Sequence, residues 1–309
     1  MNIVTVTINP AFDVHCGIES FLPERENHML SCIRDAGGKG INVARALAAQ
    51  GMKSDSFVIL GRQNADDFES EINKSGINYF PFYVEGRIRE NITIHPQNGK
   101  ETRISFDDFA PGKEAVAEIF ESASEKCFKD TLFVFAGRLP DGIDADFVIP
   151  LLHNIKKSGA KLIVDSSSFT PQDIEKIKPW LIKPNDEEIV AFCKGEVNGA
   201  HDAVSAAKKI RESGVENVMV SLGSLGAVLS CGDGDFYASV PKIDALSTIG
   251  AGDSSIAGFL FAFASGKSFF ECLLNSVSCG TAACLTEGTK PPRAEDIARL
   301  KSEISVIRL

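Results

Sequence analysis

Short apolar runs alternate with stretches of helical periodicity in the second part of the chain, and this alternation constrains the fold most strongly. The apolar runs are rich in β-branched and aromatic residues and predict strands at 131–136, 161–165, 180–183 and 218–221. Helical periodicity separates these strands, at 144–157, 186–193 and 202–212. The alternation predicts an α/β fold in which helices cover both faces of a mostly parallel sheet. The unbroken apolar run 132–135 supports this, because parallel strands are buried on both sides.

Two earlier stretches, at about 12–34 and 87–108, do not fit this pattern. They contain segments with a period of two, 92–95 and 102–106, without helices between them. We therefore predict antiparallel strands of a small sheet inserted into the α/β body. Such a sheet cannot bury both faces by itself, so we expect a lid that covers a cleft, contacts a second subunit, or both. No low-complexity linker interrupts the sequence, and we predict one domain over residues 1–309.

The charge balance and the cysteines limit the classes of function. The 42 acidic and 32 basic residues give a net charge of −10, which argues against nucleic acid or an anionic membrane as the main partner. The eight cysteines form no C-x-x-C pair and lie among apolar residues, as buried thiols of a reduced cytoplasmic protein would. No signal-peptide pattern and no apolar run of the ~20 residues that a membrane span requires is present, so we expect a soluble, cytoplasmic protein.

The segment Gly250-Ala251-Gly252-Asp253 directly precedes the apolar run 254–264. Two glycines around a small residue allow successive backbone amides to converge, and the apolar spacing that follows predicts a helix. Amides at a helix N-terminus stabilise an anion, such as a phosphoryl group in transfer, and Asp253 beside them is placed to accept a proton. The alternative is an aspartate that caps a helix after a glycine-rich turn.

A second glycine turn, Gly37-Gly38-Lys39-Gly40, leads into another predicted helix. It is not a Walker A loop, because glycine follows Lys39 where that loop has serine or threonine. Lys39 and Asn42 are three residues apart and therefore share a face near the helix N-terminus. A cation and an amide there suit a phosphorylated or polyhydroxylated ligand. An exposed lysine beside helix-start glycines is the alternative for this turn alone.

Six motifs in order resemble the phosphofructokinase-B branch of the ribokinase-like carbohydrate kinases, over essentially the whole chain. They are Asn9-Pro10-Ala11-Phe12-Asp13 and the segments 37–44, 87–92, 183–188, 220–227 and 247–254. The resemblance implies a three-layer α/β/α fold with a small β-sheet lid and an ATP-dependent phosphosugar kinase. The first and third motifs are similar to the phosphosugar kinases of this family, and most similar to those that act on fructose 1-phosphate. Tagatose 6-phosphate and fructose 6-phosphate are the alternative substrates.

The resemblance also implies roles on the side of the sugar. Asp13 would bind sugar hydroxyls, Gly38 and Asn42 would contact the sugar, and Lys39 and Arg89 would hold its phosphate. An arginine fork suits a phosphate group. Asp13 as a solvated turn residue is the alternative to this role.

Two further arginines are candidates for the substrate site. Arg103 could reach the phosphate from the second lid strand or could face solvent. Arg138 stands in Gly-Arg-Leu-Pro, where the family usually has Gly-Ser-Leu-Pro. A cation at the carboxyl end of a strand could add a phosphate contact or change which phosphosugar fits.

For the reaction, the resemblance implies Asp253 as general base and the Gly250–Asp253 amides as the anion hole. The residues implied to bind ATP are Lys183, Asn185, Glu188, Ser221, Gly223, Gly226 and Asn275, and Glu188 would hold Mg²⁺ through water. Asn185 as a helix cap and Asn275 as a polar residue on a helix face are the alternatives.

The same sequence features bear on two alternative classes of function and on the oligomeric state. A non-catalytic sugar-phosphate sensor is disfavoured by the intact Asp253, whose loss is the simplest route to an inactive kinase. A dinucleotide-binding oxidoreductase is disfavoured because no G-x-G-x-x-G follows the first predicted strand, at 3–8. The lid edges predict a homodimer, because unpaired strand edges need cover.

Overall fold

The computed structural model describes residues 1–107, 109–193 and 195–309. Within these ranges the strands are β1 (Ile3–Thr7), β2 (Ala11–Ile18), β3 (Ser31–Gly37), β4 (Asp55–Gly61), β5 (Asn78–Val84), β6 (Arg89–Pro96), β7 (Thr102–Ser105), β8 (Leu132–Ala136), β9 (Lys161–Asp165), β10 (Leu181–Ile182), β11 (Asn217–Ser221), β12 (Ala227–Cys231), β13 (Gly234–Ala238) and β14 (Val306–Arg308). The helices are α1 (Lys39–Ala49), α2 (Ala65–Asn73), α3 (Lys113–Ser124), α4 (Ala145–Lys157), α5 (Pro171–Ile177), α6 (Ala200–Glu212), α7 (Ala251–Ala264), α8 (Phe269–Ala283) and α9 (Ala294–Glu303).

The central sheet has the order β14-β13-β12-β11-β10-β9-β8-β1-β4-β5. The strands from β5 to β11 in this order are parallel to their neighbours. The three strands at the other edge, β12 to β14, add in antiparallel fashion. The mostly parallel sheet predicted from the sequence is therefore confirmed.

Helices cover both faces of this sheet and form the three layers. Phe133 and Phe135 of β8 pack into the apolar cluster that includes α3, α4 and α6. Leu132 and Val134 of the same strand pack into the opposite cluster, which includes α1, α7, α8 and α9. Each such fully buried side chain contributes roughly 1.5–3 kcal/mol of hydrophobic stabilisation. The near-continuous apolar strand is thus explained by burial on both sides.

The lid is a separate sheet with the order β3-β2-β6-β7. The pairs β2–β3 and β6–β7 are antiparallel, as predicted. The pair β2–β6 is parallel, so the prediction of a purely antiparallel lid was wrong at this junction. Two hairpins leave the body side by side, and their outgoing strands therefore run in the same direction. Asp108, the last residue of the predicted lid stretch, lies outside the described residues.

The two faces of the lid differ in chemistry. On one face, Phe12 and Val14 pack with Phe68 and Ile72 of α2 in an apolar cluster. The register of the strands places a set of polar side chains on the other face, which we call the polar lid face: Asp13, His15, Asp35, Arg89, Asn91, His95 and Arg103. One strand thus contributes both to the core and to a site.

Some local predictions need correction. The predicted helix at 186–193 is a 3₁₀-helix over Glu188–Phe192, because Asn185 and Glu188 bond to each other across a single tight turn. Cys32 is exposed, whereas the cysteines were expected to be buried. Across the parts of the chain that the structure describes, helices are too short or too polar to cross a membrane.

Candidate active site

The side chains predicted from the two glycine turns come together beneath the lid, at the carboxyl ends of the central strands. Lys39 begins α1, and Asp253 lies in the first turn of α7. Asp165 ends β9, and Lys183 follows β10 directly. Two helix N-termini therefore lie at the edge of the sheet where open α/β folds bind ligands.

The start of α7 is built on a glycine in the left-handed conformation. Gly250 precedes the helix with a φ of 80°, which residues with a Cβ adopt only at a cost. Among the described residues no side chain caps this end, and Ser254 N–H makes the first bond within the helix, to Gly250 O at 2.9 Å. The N–H groups of residues 252 and 253 precede that bond at the positive end of the helix dipole, and Ala251 N–H makes only a long bond to Thr248 O, at 3.4 Å. This end of α7 can therefore stabilise an anion.

Asp253 bonds to another helix and not to its own. Asn42 Nδ2 on α1 donates to Asp253 Oδ2 at 2.8 Å, and both residues are buried. Burial raises the pKa of Asp253 to about 6, against the opposing charge of Lys39. At neutral pH the carboxylate is still mostly ionised and can accept a proton. A pKa close to the working pH is favourable for a general base.

Asp165 is a buried carboxylate that the sequence analysis did not select, and it links two predicted phosphate-binding lysines. Lys39 Nζ lies 3.0 Å from Asp165 Oδ2, and Lys183 Nζ lies 3.5 Å from Asp165 Oδ1. Burial alone would raise the pKa of Asp165, but Lys183 and Lys39 outweigh it and hold that pKa below its ordinary value. Likewise, Asp165 and Asp253 outweigh burial and raise the pKa of Lys39. The sequence feature that could have identified Asp165 is its position as a carboxylate at the end of an apolar strand.

The polar lid face carries three of the predicted substrate-binding residues, Asp13, Arg89 and Arg103. Asp13 is buried within β2, so the alternative of a solvated turn residue is wrong. Asn91 Nδ2 donates to Asp13 Oδ1 at 3.2 Å, and Arg103 Nη2 lies 3.9 Å from the same oxygen. Arg89 Nη1 donates to Asn91 Oδ1 at 3.5 Å. Burial nevertheless raises the pKa of Asp13 above its ordinary value. Arg103, left open from the sequence, is half exposed and approaches the site through this contact.

The glycine turn before α1 permits the lid and the body to approach closely. Gly38 has a φ of 134°, and a Cβ there would lie only 2.7 Å from Thr7 Cγ2. A Cβ at Gly37 would collide with the carboxylate of Asp13. Glycine at both positions therefore lets Asp13 and α1 border the same space.

Arg138 lies just beyond β8, at the rim of the site. Its carbonyl accepts a bond from Asn9 Nδ2 at 3.4 Å, and the residue is exposed. The preceding Gly137 N–H donates to the carbonyl of Asp165 at 3.0 Å. The backbone therefore places Arg138 beside the lysine–carboxylate cluster.

A cleft of about 580 Å³ opens on the other side of the α7 N-terminus. Its walls include four of the predicted nucleotide-binding residues together with residues of the α7 segment: Asn185, Ser221, Gly223, Gly226, Thr248, Ala251 and Gly252. The volume is typical of small-molecule sites. Gly226 has a φ of 100°, and a Cβ there would collide with the carbonyl of Ala238, so glycine allows the loop to form this wall.

Asn185 and Glu188 hold each other at the mouth of this cleft. Asn185 Oδ1 accepts from Glu188 N–H at 2.6 Å, and Glu188 Oε2 accepts from Asn185 N–H at 3.1 Å. The N-cap of the 3₁₀-helix is Glu187, so Asn185 stabilises the turn that precedes this helix, and it also lines the cleft. Lys183 is buried beneath, with its ammonium group close to the backbone of Gly252.

Asn275 is not brought to this cleft. It is buried on α8, where its Nδ2 donates to the carbonyl of Gly258 at 2.5 Å and to Gln50 Oε1 at 3.2 Å. The residue joins α8 to α7 and α1. Its position along the sequence suggested the nucleotide, but its side chain serves helix packing, in line with the alternative of a polar helix residue.

The carboxylates fit a metal held partly through water. Within the described ranges, no group of three or more histidine, cysteine or acidic side chains is arranged to hold an ion. Glu188 and Asp165 both border a small cavity beside Lys183. Mg²⁺ keeps several waters and needs only one or two carboxylates when phosphates complete its shell. The residues therefore fit Mg²⁺ bound together with a triphosphate.

The carboxylate at the N-terminus of α7 lies between a polar lid and a cleft large enough for a nucleotide, an arrangement suited to phosphoryl transfer. The family match identifies the protein as an ATP-dependent sugar kinase. The model of the pfkB family of carbohydrate kinases matches residues 18–296, and the chain belongs to this family. It is 33% identical to a 1-phosphofructokinase of Borreliella burgdorferi, over 92% of each chain. A structure of Escherichia coli phosphofructokinase-2 with substrates and products has a TM-score of 0.91 and 26% identity, covering 98% of this chain and 99% of that one.

A second structure of the E. coli enzyme, in a tetrameric inhibited form, has a TM-score of 0.88 and 25% identity and covers 98% of each chain. The predicted ribokinase-like fold is thereby confirmed.

Proposed function

We propose that the protein transfers the γ-phosphoryl group of ATP to fructose 1-phosphate, giving fructose 1,6-bisphosphate and ADP. The observation that carries this proposal is the buried Asp253 carboxylate, held by Asn42 at 2.8 Å where the sugar side and the nucleotide cleft meet. The choice of sugar is supported by the similarity to the 1-phosphofructokinase of B. burgdorferi.

In the proposed reaction, the oxygen of the sugar 6-hydroxyl bonds to the γ-phosphorus of ATP, and Asp253 accepts the proton of that hydroxyl. The bond from that phosphorus to the β–γ bridging oxygen breaks, and ADP leaves with the electron pair. The N–H groups of residues 251–253 stabilise the negative charge on the phosphoryl oxygens, where preorganised donors are most effective. Mg²⁺, when bound, neutralises charge on the triphosphate.

Cations on both sides would recognise the phosphate already present on the sugar. Arg89 and Arg103 approach from the polar lid face, Lys39 from α1, and Arg138 from the rim. Lys39 already pairs with Asp165. Its ammonium group therefore also keeps a positive charge next to the phosphoryl group that is transferred. Arginine can bind a phosphate through two parallel bonds, which favours a phosphorylated acceptor over a free sugar.

The test is an assay of ADP release with fructose 1-phosphate, tagatose 6-phosphate, fructose 6-phosphate and free fructose. We expect the highest kcat/KM with fructose 1-phosphate and the lowest with fructose. A higher kcat/KM with tagatose 6-phosphate or fructose 6-phosphate would show that this sugar phosphate is the substrate instead. Binding of phosphosugars without any ADP release would indicate a sensor instead of an enzyme.

We further propose a homodimer formed through the lid. Met29, Leu30 and Phe106 are 59%, 64% and 51% exposed, so the lid carries apolar surface. We expect a dimer by light scattering at micromolar concentration and a shift toward monomer for Leu30→Glu. A wild-type monomer with full activity would contradict this assembly.

A further inference from the structure

Two thiols face each other across the first hairpin of the lid. Cys16 and Cys32 are direct partners in the antiparallel register of β2 and β3, and their sulfur atoms lie 3.9 Å apart. Side chains opposite each other in an antiparallel pair have Cβ atoms about 4.5–5.5 Å apart, and a disulfide needs a Cβ separation of about 3.5–4.5 Å. Because these ranges meet, rotation of the two side chains with a small shift of the strands brings the sulfur atoms to bonding distance.

The remaining cysteines have other surroundings. In the described parts of the chain, no other two thiols are hydrogen-bonded to each other. The other six sulfur atoms each bond to a backbone carbonyl or to a side-chain amide, and they belong to Cys127, Cys193, Cys231, Cys272, Cys279 and Cys284. The lid hairpin is therefore the place in the fold where two thiols are held together.

The two thiols of the pair differ in exposure, and this difference gives them separate roles. Cys32 is exposed, whereas Cys16 is only 2% exposed and packs in the apolar cluster with Phe12 and Val14. Burial, and then the neighbouring Cys32, raise the pKa of Cys16 to about 11. The thiolate is the nucleophile, so a reagent in solution reaches Cys32 first. An exposed thiol beside a second thiol that can resolve it is the arrangement of redox-sensing cysteines.

We propose that Cys16 and Cys32 are a modification site, at which a small-molecule disulfide converts the two thiols to a reversible disulfide that fastens β2 to β3. The Cys32 thiolate attacks one sulfur of the reagent, forms a mixed disulfide and releases one small thiol. The Cys16 sulfur then attacks Cys32 Sγ and releases the second small thiol. Two protein thiols are oxidised, one small disulfide is reduced, and the two cysteine protons end on the released thiols. This proposal goes beyond the proposed function and does not rest on it.

The new bond would lie at the base of a largely exposed tip, residues 19–30. Within the tip, Leu22 N–H donates to Asn27 Oδ1 and Asn27 Nδ2 donates to Leu22 O, both at 2.9 Å. At the base, Leu30 N–H donates to Gly17 O at 2.8 Å. These contacts are all non-covalent, so the hairpin can open from its tip. A disulfide closes the loop 17–31 and removes such open conformations.

Mass spectrometry after treatment with glutathione disulfide tests the chemistry. We expect the wild type to become lighter by two hydrogen atoms, to retain no glutathione, and to yield a peptide in which Cys16 is joined to Cys32. Dithiothreitol should restore the original mass. Absence of any reaction, a glutathione adduct that persists on Cys32, or a disulfide between two chains would overturn the proposal.

Variants test the two roles. Cys16→Ala should trap glutathione on Cys32, because the resolving thiol is gone, whereas Cys32→Ser should leave the buried Cys16 unmodified. Cys127→Ser, at a half-buried thiol outside the lid, is the matched control and should form the disulfide as the wild type does. Protection of the fully buried Cys279 shows that each variant is folded. Modification of Cys16 in Cys32→Ser as fast as that of Cys32 in Cys16→Ala would overturn the assigned roles.

Hydrogen exchange tests the fastening of the hairpin. We expect the backbone amides of β2 and β3 to exchange about tenfold or more slowly in the disulfide form, because the strands can no longer separate at the tip. The amides of α4, in the body, should exchange equally in both forms. Equal rates in β2 and β3 before and after oxidation would overturn the restraint. These measurements need no turnover, so a failure of the proposed function would leave their result unchanged.

Discussion

Asp165 in the body and Asp13 in the lid are both buried carboxylates, but their surroundings shift the pKa of the carboxyl group in opposite directions. Two lysines within 3.5 Å outweigh burial at Asp165 and lower its pKa. At Asp13, one amide bond and an arginine at 3.9 Å do not outweigh burial, and the pKa is raised. The charge of Asp165 is thus compensated within the protein, whereas the charge of Asp13 is not.

Asp253 also belongs to the body, and its removal should have the largest effect. Asp253→Asn keeps the shape and the contact to Asn42 but cannot accept the hydroxyl proton. We expect kcat to fall by about two to four orders of magnitude, the range for a general base, with little change in the dissociation constants of ATP and phosphosugar. The control is Asp146→Asn, at an exposed carboxylate of α4. Retention of more than about a tenth of wild-type turnover would exclude a base at this position.

Arg89 tests the lid side of the comparison. Arg89→Ala removes a charge-assisted contact to a phosphate that only the acceptor carries. We expect the KM of the phosphosugar to rise about 30- to 1000-fold, equivalent to roughly 2–4 kcal/mol, with a much smaller change for ATP. Arg62→Ala, at a largely exposed arginine, is the matched control. Equal increases for both substrates would show that Arg89 has a structural role.

The free energy of unfolding separates the two carboxylates directly. Asp165→Asn leaves two lysines without their buried partner and should destabilise the fold by about 3–5 kcal/mol at neutral pH. Asp13→Asn should change stability little or increase it, since ionisation of a carboxyl with a raised pKa opposes folding. The stabilisation by Asp165 should be lost in acid, below its ordinary pKa, because the lysines hold its native pKa lower. Urea unfolding of both variants measures these free energies. Equal decreases for Asp165→Asn and Asp13→Asn would contradict the difference between the two carboxylates.

The elements predicted best from the sequence were those that local pattern determines. Apolar runs such as 132–135 determine a strand buried on both faces, and Gly250–Asp253 determines a helix start within four residues. The side chains that meet there were partly predictable, because Lys39 and Asn42 share a helix face. The glycine turn itself indicated Asp253 as a proton acceptor, whereas the assignments of Lys39 to the sugar phosphate and of Asn42 to the sugar came from the family resemblance.

What the sequence did not predict depends on contacts between distant segments. Asp165 meets Lys39 across 126 positions of the chain, and no local pattern signals that pairing. The parallel pairing of β2 with β6 follows from two hairpins leaving the same side of the body. Asn275 failed for a related reason, since a position on a helix does not reveal which side faces a neighbouring helix.

The pH dependence of kcat tests the central claim, that Asp253 is a base whose pKa burial has raised to about 6. The carboxylate must be ionised to accept a proton, so kcat should be constant above about pH 7 and fall toward tenfold per unit below about pH 6. A parallel profile of kcat/KM is measured, because kcat/KM reports the base of the enzyme without substrate, to which the pKa of about 6 applies, whereas kcat reports the base of the bound enzyme. A limb near pH 6 that is absent from the residual activity of Asp253→Asn would agree with the account. A wild-type kcat and kcat/KM that both stay constant down to about pH 5 would contradict it.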